Sequence, residues 1–216
     1  MDIYSALSLV QRVKPGMVVE TRSLVKIAGS KATLSRALKV LEEYGFVWGR
    51  ARGWVAFADA LWQPAYVIES ILPSLRALRG AVPVRCPRKA FELLRDFFVT
   101  LDWKAWELTG YQTPRNLYVY ADSVEDVIRR LRAVGLSRIS KGGELVYVLP
   151  RVGDFSNPTE RTYLDCVARG GRSWLDAVAI ELLYPDELSV RAVFPVGLVE
   201  KVIEDLSLMS EETEIR

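Results

Sequence analysis

The sequence predicts an α+β chain in which an amino-terminal helix-and-hairpin module precedes a larger, mixed α/β part. Three observations carry this. Helical periodicity of 3.6 residues recurs from one end of the chain to the other. Short alternating apolar runs, "FVWGR", "GWVAF", "NLYVYA" and "ELVYVLP", interrupt it. Positive charge is concentrated in one stretch: residues 1 to 56 hold nine cations against four anions, a net of +5, while the rest holds 20 against 23, a net of −3. A basic module on an otherwise near-neutral chain points to a polyanion as partner.

The first segment, "YSALSLVQRV", spaces Leu7, Val10 and Val13 as the apolar face of a helix that stops at Pro15-Gly16. "MVVET" follows as a short extended run. Thr21 or Ser23 is the expected cap of a second helix, "SLVKIAG", which ends at Gly29. Ser30 then opens a third helix whose apolar stripe runs through Leu34, Ala37, Leu38, Leu41 and Gly45, leaving small, hydroxyl and basic residues on the other side. The runs "FVWGR" and "GWVAF" alternate on either side of "ARG" and predict a β-hairpin with a basic tip. Helix, strand, helix, helix, hairpin is the order of a winged helix-turn-helix.

That order suits double-stranded DNA. A helix fits the major groove and presents side chains of its amino-terminal half to base edges, while the helix before it braces against the backbone. The expected base readers are therefore Thr33, Ser35, Arg36 and Lys39. Lys31 is placed for a phosphate, and Arg50 and Arg52 at the hairpin tip for the adjacent backbone or minor groove. The competing reading makes Lys31, Arg36 and Lys39 an ordinary solvated face of a protein-binding module.

A boundary is expected within "ADALWQP", where Pro64 disfavours helix at the residue before it, giving units 1–60 and 61–216. Leu61 and Trp62 call for burial, so the units are expected to pack together. In the second unit "AYVIESILPSLRALRG" and "PRKAFELLRDFFVTLDWKAWELTG" read as helices, "NLYVYA" and "ELVYVLP" as strands, and "SVEDVIRRLRAVG" as a helix capped by Ser123. "SRISKGGELVYV" predicts a hairpin turning at Lys141-Gly142-Gly143. "NPTERTYLDCVARGGRSWLDAVAIELL" gives two helices parted by Gly170-Gly171, with Pro158 at the first start and Glu160 facing the helix dipole. "PVGLVEKVIEDL" is the last helix, with a frayed polar tail beyond it.

Composition excludes much chemistry. There is no histidine, which removes His-based triads, His-ligated metals and imidazole acid/base work. Cys86 and Cys166, far apart and outside any CxxC, read as reduced buried thiols. No metal or cofactor is expected, and no catalytic residue. No membrane span or basic leader is read, so a cytoplasmic site is expected. Three glutamines and two asparagines beside abundant arginine are compatible with a hot habitat.

The combination of this amino-terminal module with "DWKAWELTGYQTPRNLYVYAD", a hairpin, and "NPTERTYLDCVARGGRSWLDAVAIELL" resembles the AbiEi-type antitoxin and transcriptional-regulator family of viral defence systems, over nearly the whole chain. Ala105, Leu108, Gly110, Tyr111, Pro114, Tyr118 to Tyr120, Glu160, Arg161 and Asp165 stand where that family's pattern has its counterparts. The resemblance implies an autorepressing antitoxin of a type IV toxin-antitoxin operon that neutralises a nucleotidyltransferase-like toxin, through the carboxy-terminal part or indirectly. A homodimer on DNA is expected separately, because one winged helix reads few base pairs. The alternative is a ligand-responsive regulator with no antitoxin role, for which Trp103, Trp106 and Tyr111 could stack a small molecule. A nucleotidyltransferase-like enzyme is the remaining alternative, from "GGRS" at 170–173 and "DEL" at 186–188. Adjacent Asp186 and Glu187 would point to opposite faces of a strand, which argues against a shared metal. Arg161 and Asp165, four residues apart on a helix, read as a structural ion pair.

Overall fold

The computed structural model describes residues 1–12, 18–86, 94, 97–133 and 144–214. The amino-terminal elements follow the expected order: α1 (Ile3–Val10), β1 (Val18–Glu20), α2 (Thr21–Ala28), α3 (Lys31–Glu43), β2 (Val47–Ala51) and β3 (Trp54–Phe57). Asp2 caps α1 by accepting the Ser5 N–H at 2.8 Å. The three strands form an antiparallel sheet in the order β1-β3-β2. Its inner face, Val19, Val47, Val55 and Phe57, buries against Leu7, Val10, Leu24, Leu34, Leu38 and Leu41 of the helices. Gly29 ends α2 in the left-handed region at φ 74°, the turn that sends the chain directly into α3.

Two local expectations are corrected here. Neither Thr21 nor Ser23 caps α2: the cap position is Glu20, with no side-chain bond. The Thr21 N–H instead donates to the Gly53 carbonyl at 2.7 Å, so the hairpin turn satisfies the helix start that a hydroxyl was expected to satisfy. Gly45 is not part of the α3 stripe, because α3 ends at Glu43. It sits at φ 85° beneath the following helix, where a Cβ would lie 2.9 Å from the Leu75 carbonyl oxygen. The hairpin turn is Arg52-Gly53, with Ala51 already paired to Trp54.

A 3₁₀ turn (Asp59–Trp62) leads into α4 (Ala65–Arg79), β4 (Val82–Cys86), β5 (Phe98–Thr100), α5 (Leu101–Thr109), β6 (Leu117–Ala121), α6 (Val124–Ala133), β7 (Glu144–Pro150), α7 (Pro158–Arg169), α8 (Ser173–Leu183), a second 3₁₀ turn (Pro185–Glu187) and α9 (Val196–Glu214). The second sheet runs β4-β7-β6-β5. β6 and β7 are parallel, joined through the α6 crossover, and β4 and β5 flank them antiparallel. Tyr118 and Tyr120 face α5 and α7, while Leu117, Val119 and Ala121 form a separate core with Val127 and Leu131 of α6, so every β6 residue is buried.

The helix expected over 87–110 is broken. Phe98-Val99-Thr100, aromatic and β-branched, pair with Tyr118–Tyr120 as strand β5, and helix α5 follows from Leu101, while residues 87–93 and 95–96 of the expected helix lie outside the described residues. β4 was not foreseen, since Pro83 argues against a strand. It is tolerated because β4 lies at the sheet edge. The hairpin turn expected at Lys141-Gly142-Gly143 lies outside the described residues, and so do Val13, Pro15 and Gly16. The neighbours of β7 from Val146 to Val148 are β4 on one side and β6 on the other. α9 runs on to Glu214, through most of the tail expected to fray, because Leu206, Leu208 and Met209 prolong its apolar content.

Leu61 is buried and Trp62 half-buried, and a single buried cluster extends from Ile3 through Leu61, Val67 and Ile71 to Tyr120, Leu149, Tyr163 and Ala177. Cys86 and Cys166 are free, buried thiols, and burial pushes the Cys166 thiol well up. At the centre of this core the Arg161 guanidinium lies 3.2 Å from the fully buried Asp165 carboxylate. Asp165 also accepts from Thr100 Oγ1 at 2.6 Å and Tyr120 Oη at 2.8 Å. Arg161 donates to the Tyr120 hydroxyl and stacks 4.7 Å over the Tyr120 ring and 4.8 Å over Phe155. Burial pushes the Asp165 carboxyl up, against the pull of Arg161 and the two hydroxyl donors.

Asp165→Ala leaves Arg161 charged and buried without its partner, which costs about 3–5 kcal/mol. Urea unfolding is expected to show that loss, and a loss under about 1 kcal/mol would contradict the buried pair.

Candidate nucleic-acid interface

The outer surface of the amino-terminal module is built by three elements. Ser30 caps α3, its Oγ accepting the Thr33 N–H at 3.0 Å and donating to Thr33 Oγ1 at 2.9 Å. Burial of Leu34, Ala37, Leu38 and Leu41 fixes the roll of α3 and turns Lys31, Ser35, Arg36 and Lys39 out to solvent. Between α2, α3 and the hairpin lies a groove of about 700 Å³. Its floor is Val25, Leu34, Leu38 and Val55, and Trp54, 49% exposed, closes one side. Arg22, Lys26, Lys31 and Arg50 rim it, with no acid among the residues lining it.

Of the seven residues picked from sequence, Lys31, Ser35 and Arg50 line this groove. Arg36 and Lys39 project from α3 outside it, and exposed Arg52 occupies the hairpin turn, also outside it. Thr33 is half-buried and its hydroxyl oxygen is engaged by the Ser30 cap, a local structural role that the expected base contact did not allow for. Arg50 is held by Glu42 of α3 at 2.7 Å in an exposed pair. Sequence reading missed Arg22 and Lys26 as members of the site. Their signal was present: the two cations sit four apart on α2, one face of that helix.

A second concavity, about 430 Å³, separates the outer face of the first sheet (Val18, Trp48, Ala56) from Arg169, Gly170, Gly171, Arg172 and Ser173 at the α7–α8 junction. Trp48 is the bulged residue of β2, unpaired between Val47 and Gly49, and is 60% exposed. Asp59 crosses this boundary and accepts the Gly171 N–H at 2.7 Å. The "GGRS" segment thus forms a turn capped from the other half of the chain. Asp186 and Glu187 sit exposed in the second 3₁₀ turn. No group of three or more metal-ligating side chains occurs among the described residues. Trp103 and Trp106 meet edge to face at 5.9 Å, and Tyr111 donates to Asp205 of α9 at 2.6 Å, with burial and Asp205 pushing its phenol up.

Beside this junction a small polar cavity of about 150 Å³ holds Asp102, Gln112, Arg169, Arg172, Ser173 and Asp176. Arg169 pairs with Asp102 at 2.5 Å and donates to Ser173 at 3.1 Å, while Gln112 Nε2 donates to Asp176 at 3.0 Å. Arg172 bonds the Gln112 carbonyl oxygen and the Thr113 carbonyl. Burial first, and then the neighbouring Asp102 carboxylate, push Asp176 up to about 7.

Compared with protein-family models, curated proteins and solved structures, the chain matches none. Among the described residues no helix is long and apolar enough to cross a membrane.

An acid whose folded pKa is raised binds more protons folded than unfolded between about pH 4 and pH 7. Its stabilising contribution is complete at the acidic end of that window and is lost as pH rises through 7. Asp176→Asn is therefore expected to flatten the fall in stability between pH 5 and pH 8 by roughly 2–4 kcal/mol relative to the parent. Denaturant titrations at both pH values check this, and parallel curves for the two proteins would refute it.

Proposed function

We propose that the chain is a sequence-preferring, duplex-DNA-binding transcriptional regulator whose amino-terminal module is a winged helix-turn-helix. The observation that carries this reading is the groove rimmed by Arg22, Lys26, Lys31 and Arg50 beside an α3 surface bearing Ser35, Arg36 and Lys39. Cations contributed by α2, α3 and the hairpin suit the phosphates that flank a major groove entered by α3. The order β1-β3-β2 with α2 and α3 packed on one face supports the assignment. One such module reads few base pairs, so an inverted or direct repeat bound by two copies is the expected operator.

The resemblance to AbiEi-type regulators extends this to an autorepressing antitoxin whose remainder, residues 61–216, neutralises a nucleotidyltransferase-like toxin by protein contact and without catalysis. Co-expression with a toxin encoded beside it tests that part: rescue of growth supports it, and failure to rescue leaves the regulator alone. A second reading, a ligand-responsive regulator, is favoured by the concavity at Trp48, because it lies between the DNA-reading module and the α7–α8 junction. That reading expects a ligand that raises the melting temperature and alters DNA affinity by the factor with which DNA alters ligand affinity.

DNA affinity is expected to fall steeply with salt. Arg22→Ala, Lys26→Ala or Lys31→Ala should each lower the log-log salt slope by up to about 0.9 and weaken all sequences alike. Arg36→Ala should instead relax preference at one operator position by about 1–3 kcal/mol. Gel shifts and footprints across salt concentrations measure both, and binding that is absent or indifferent to salt would overturn the reading.

A further inference from the structure

A DNA backbone offers chiefly charge, yet the basic groove is lined by apolar side chains: Leu34, Leu38 and Val55 buried at its base, half-buried Val25, and half-exposed Trp54 at its side. Such a groove is complementary to an amphipathic helix that carries acids beside its apolar residues. The same chain displays one. α9 packs Leu198, Val199, Val202 and Leu206 inward, and Asp205 is tied to Tyr111. Its outward side carries Val196, 72% exposed, and Ile203, 48% exposed, with exposed Glu200 and Glu204 beside them. These four stand at i, i+4, i+7 and i+8, one helical face. Counting Glu200, Glu204, Asp205, Glu211, Glu212 and Glu214 against Lys201, the helix is net −5. On the groove side the reachable surface is Trp54, the edge of half-buried Val25 and the rim cations, and on α9 it is Val196, Glu200, Ile203 and Glu204.

We infer that the α2–α3–hairpin groove of one copy receives the Val196–Glu200–Ile203–Glu204 face of α9 from a second copy. Val196 and Ile203 lie against Trp54 and the edge of Val25, and Glu200 and Glu204 meet Lys26 and Lys31 on the rim. The inference takes the closed, two-fold form, in which both grooves and both helix faces are filled at once. Its consequence for regulation rests on the DNA reading above. The dimer occupies the cations that bind phosphate, so DNA and self-association compete, and copies released from the dimer are the ones that sit on an operator.

The association itself is tested without DNA, so its failure and a failure of DNA binding are read separately. Sedimentation velocity on the full chain, from about 1 to about 100 µM at low ionic strength, should show a concentration-dependent dimer that weakens as salt rises. Charge reversal of the groove (Lys26→Glu with Lys31→Glu) and of the helix (Glu200→Lys with Glu204→Lys) should each weaken it at least about tenfold, because like charges then face each other. An equimolar mixture of the two variants restores opposite charges at both contacts and should re-associate. All four positions are exposed, so unchanged melting temperatures certify the folds, and Val196→Ala with Ile203→Ala removes the apolar part without altering charge and should also weaken the dimer. A parent that stays monomeric throughout, a dimer indifferent to either reversal, or a mixture that does not re-associate overturns the inference.

Discussion

The buried pair of Arg161 and Asp165 is the constraint on which the rest of the second half depends. Each ion is almost wholly removed from water, so its partners must be protein atoms: Asp165 takes Thr100, Tyr120 and Arg161, whereas Arg161 Nε lies 3.2 Å from Asp165 as an ion pair without a formed hydrogen bond. Thr100 comes from the end of β5, Tyr120 from β6, and both ions from α7. Displacing any of the three elements by a few tenths of an ångström would lengthen a 2.6–2.8 Å bond to a buried carboxylate. The pair adds little net stability by itself, but it makes misplacement costly, which fixes α7 against the second sheet.

From α7 the constraint passes to the amino-terminal module. The turn that closes α7 takes its cap from Asp59, two residues after β3 ends. Gln63 then locks the same connection from the other side, its amide exchanging two 2.8 Å hydrogen bonds with the Val193 backbone. The hairpin is therefore anchored at its base by Asp59 and Gln63 and at its tip by the bond from Thr21 to Gly53. A hairpin held at both ends sets the width of the groove against α3. The rim cations are long and mobile, but the walls that carry them are not.

The parts of the fold legible in sequence were those governed by local rules. Apolar spacing in α3, the Ser30 cap, the Arg52-Gly53 turn and the i,i+4 pair of Arg161 and Asp165 each depend on residues within one turn of each other. What was missed depended on distant partners. Phe98-Val99-Thr100 became a strand because Tyr118–Tyr120 offered an edge, and the helical run around it gave no sign of that edge. Pro83 was admitted to β4 because, among the described residues, β4 has a neighbouring strand on one side only. In the site itself, the basic residues of α3 and the hairpin could be picked from spacing, whereas Arg22 and Lys26 joined them only through the packing of α2 across Leu24 and Val25. Thr33 also has a local structural role, its hydroxyl oxygen accepting from the Ser30 cap.

The two classes of charge in the molecule differ in what they can do. In the second half Arg161 and Arg169 are paired and stacked on tyrosine rings, and their carboxylate partners cannot be exchanged for a ligand without exposing a buried ion. In the first half Arg50 is paired too, with Glu42, but at the surface, where such a pair is worth at most about 1 kcal/mol and is screened by salt. On the proposed DNA reading, a phosphate in place of Glu42 would release condensed counterions from the nucleic acid, a gain the intramolecular pair does not match at low salt. Glu42 thus holds Arg50 at the groove while the groove is empty and gives it up at little cost. The groove therefore carries one cation on a weak tether, Arg50, beside Arg22, Lys26 and Lys31, and it is the weakness of that tether that separates this charge from the buried pairs of the second half.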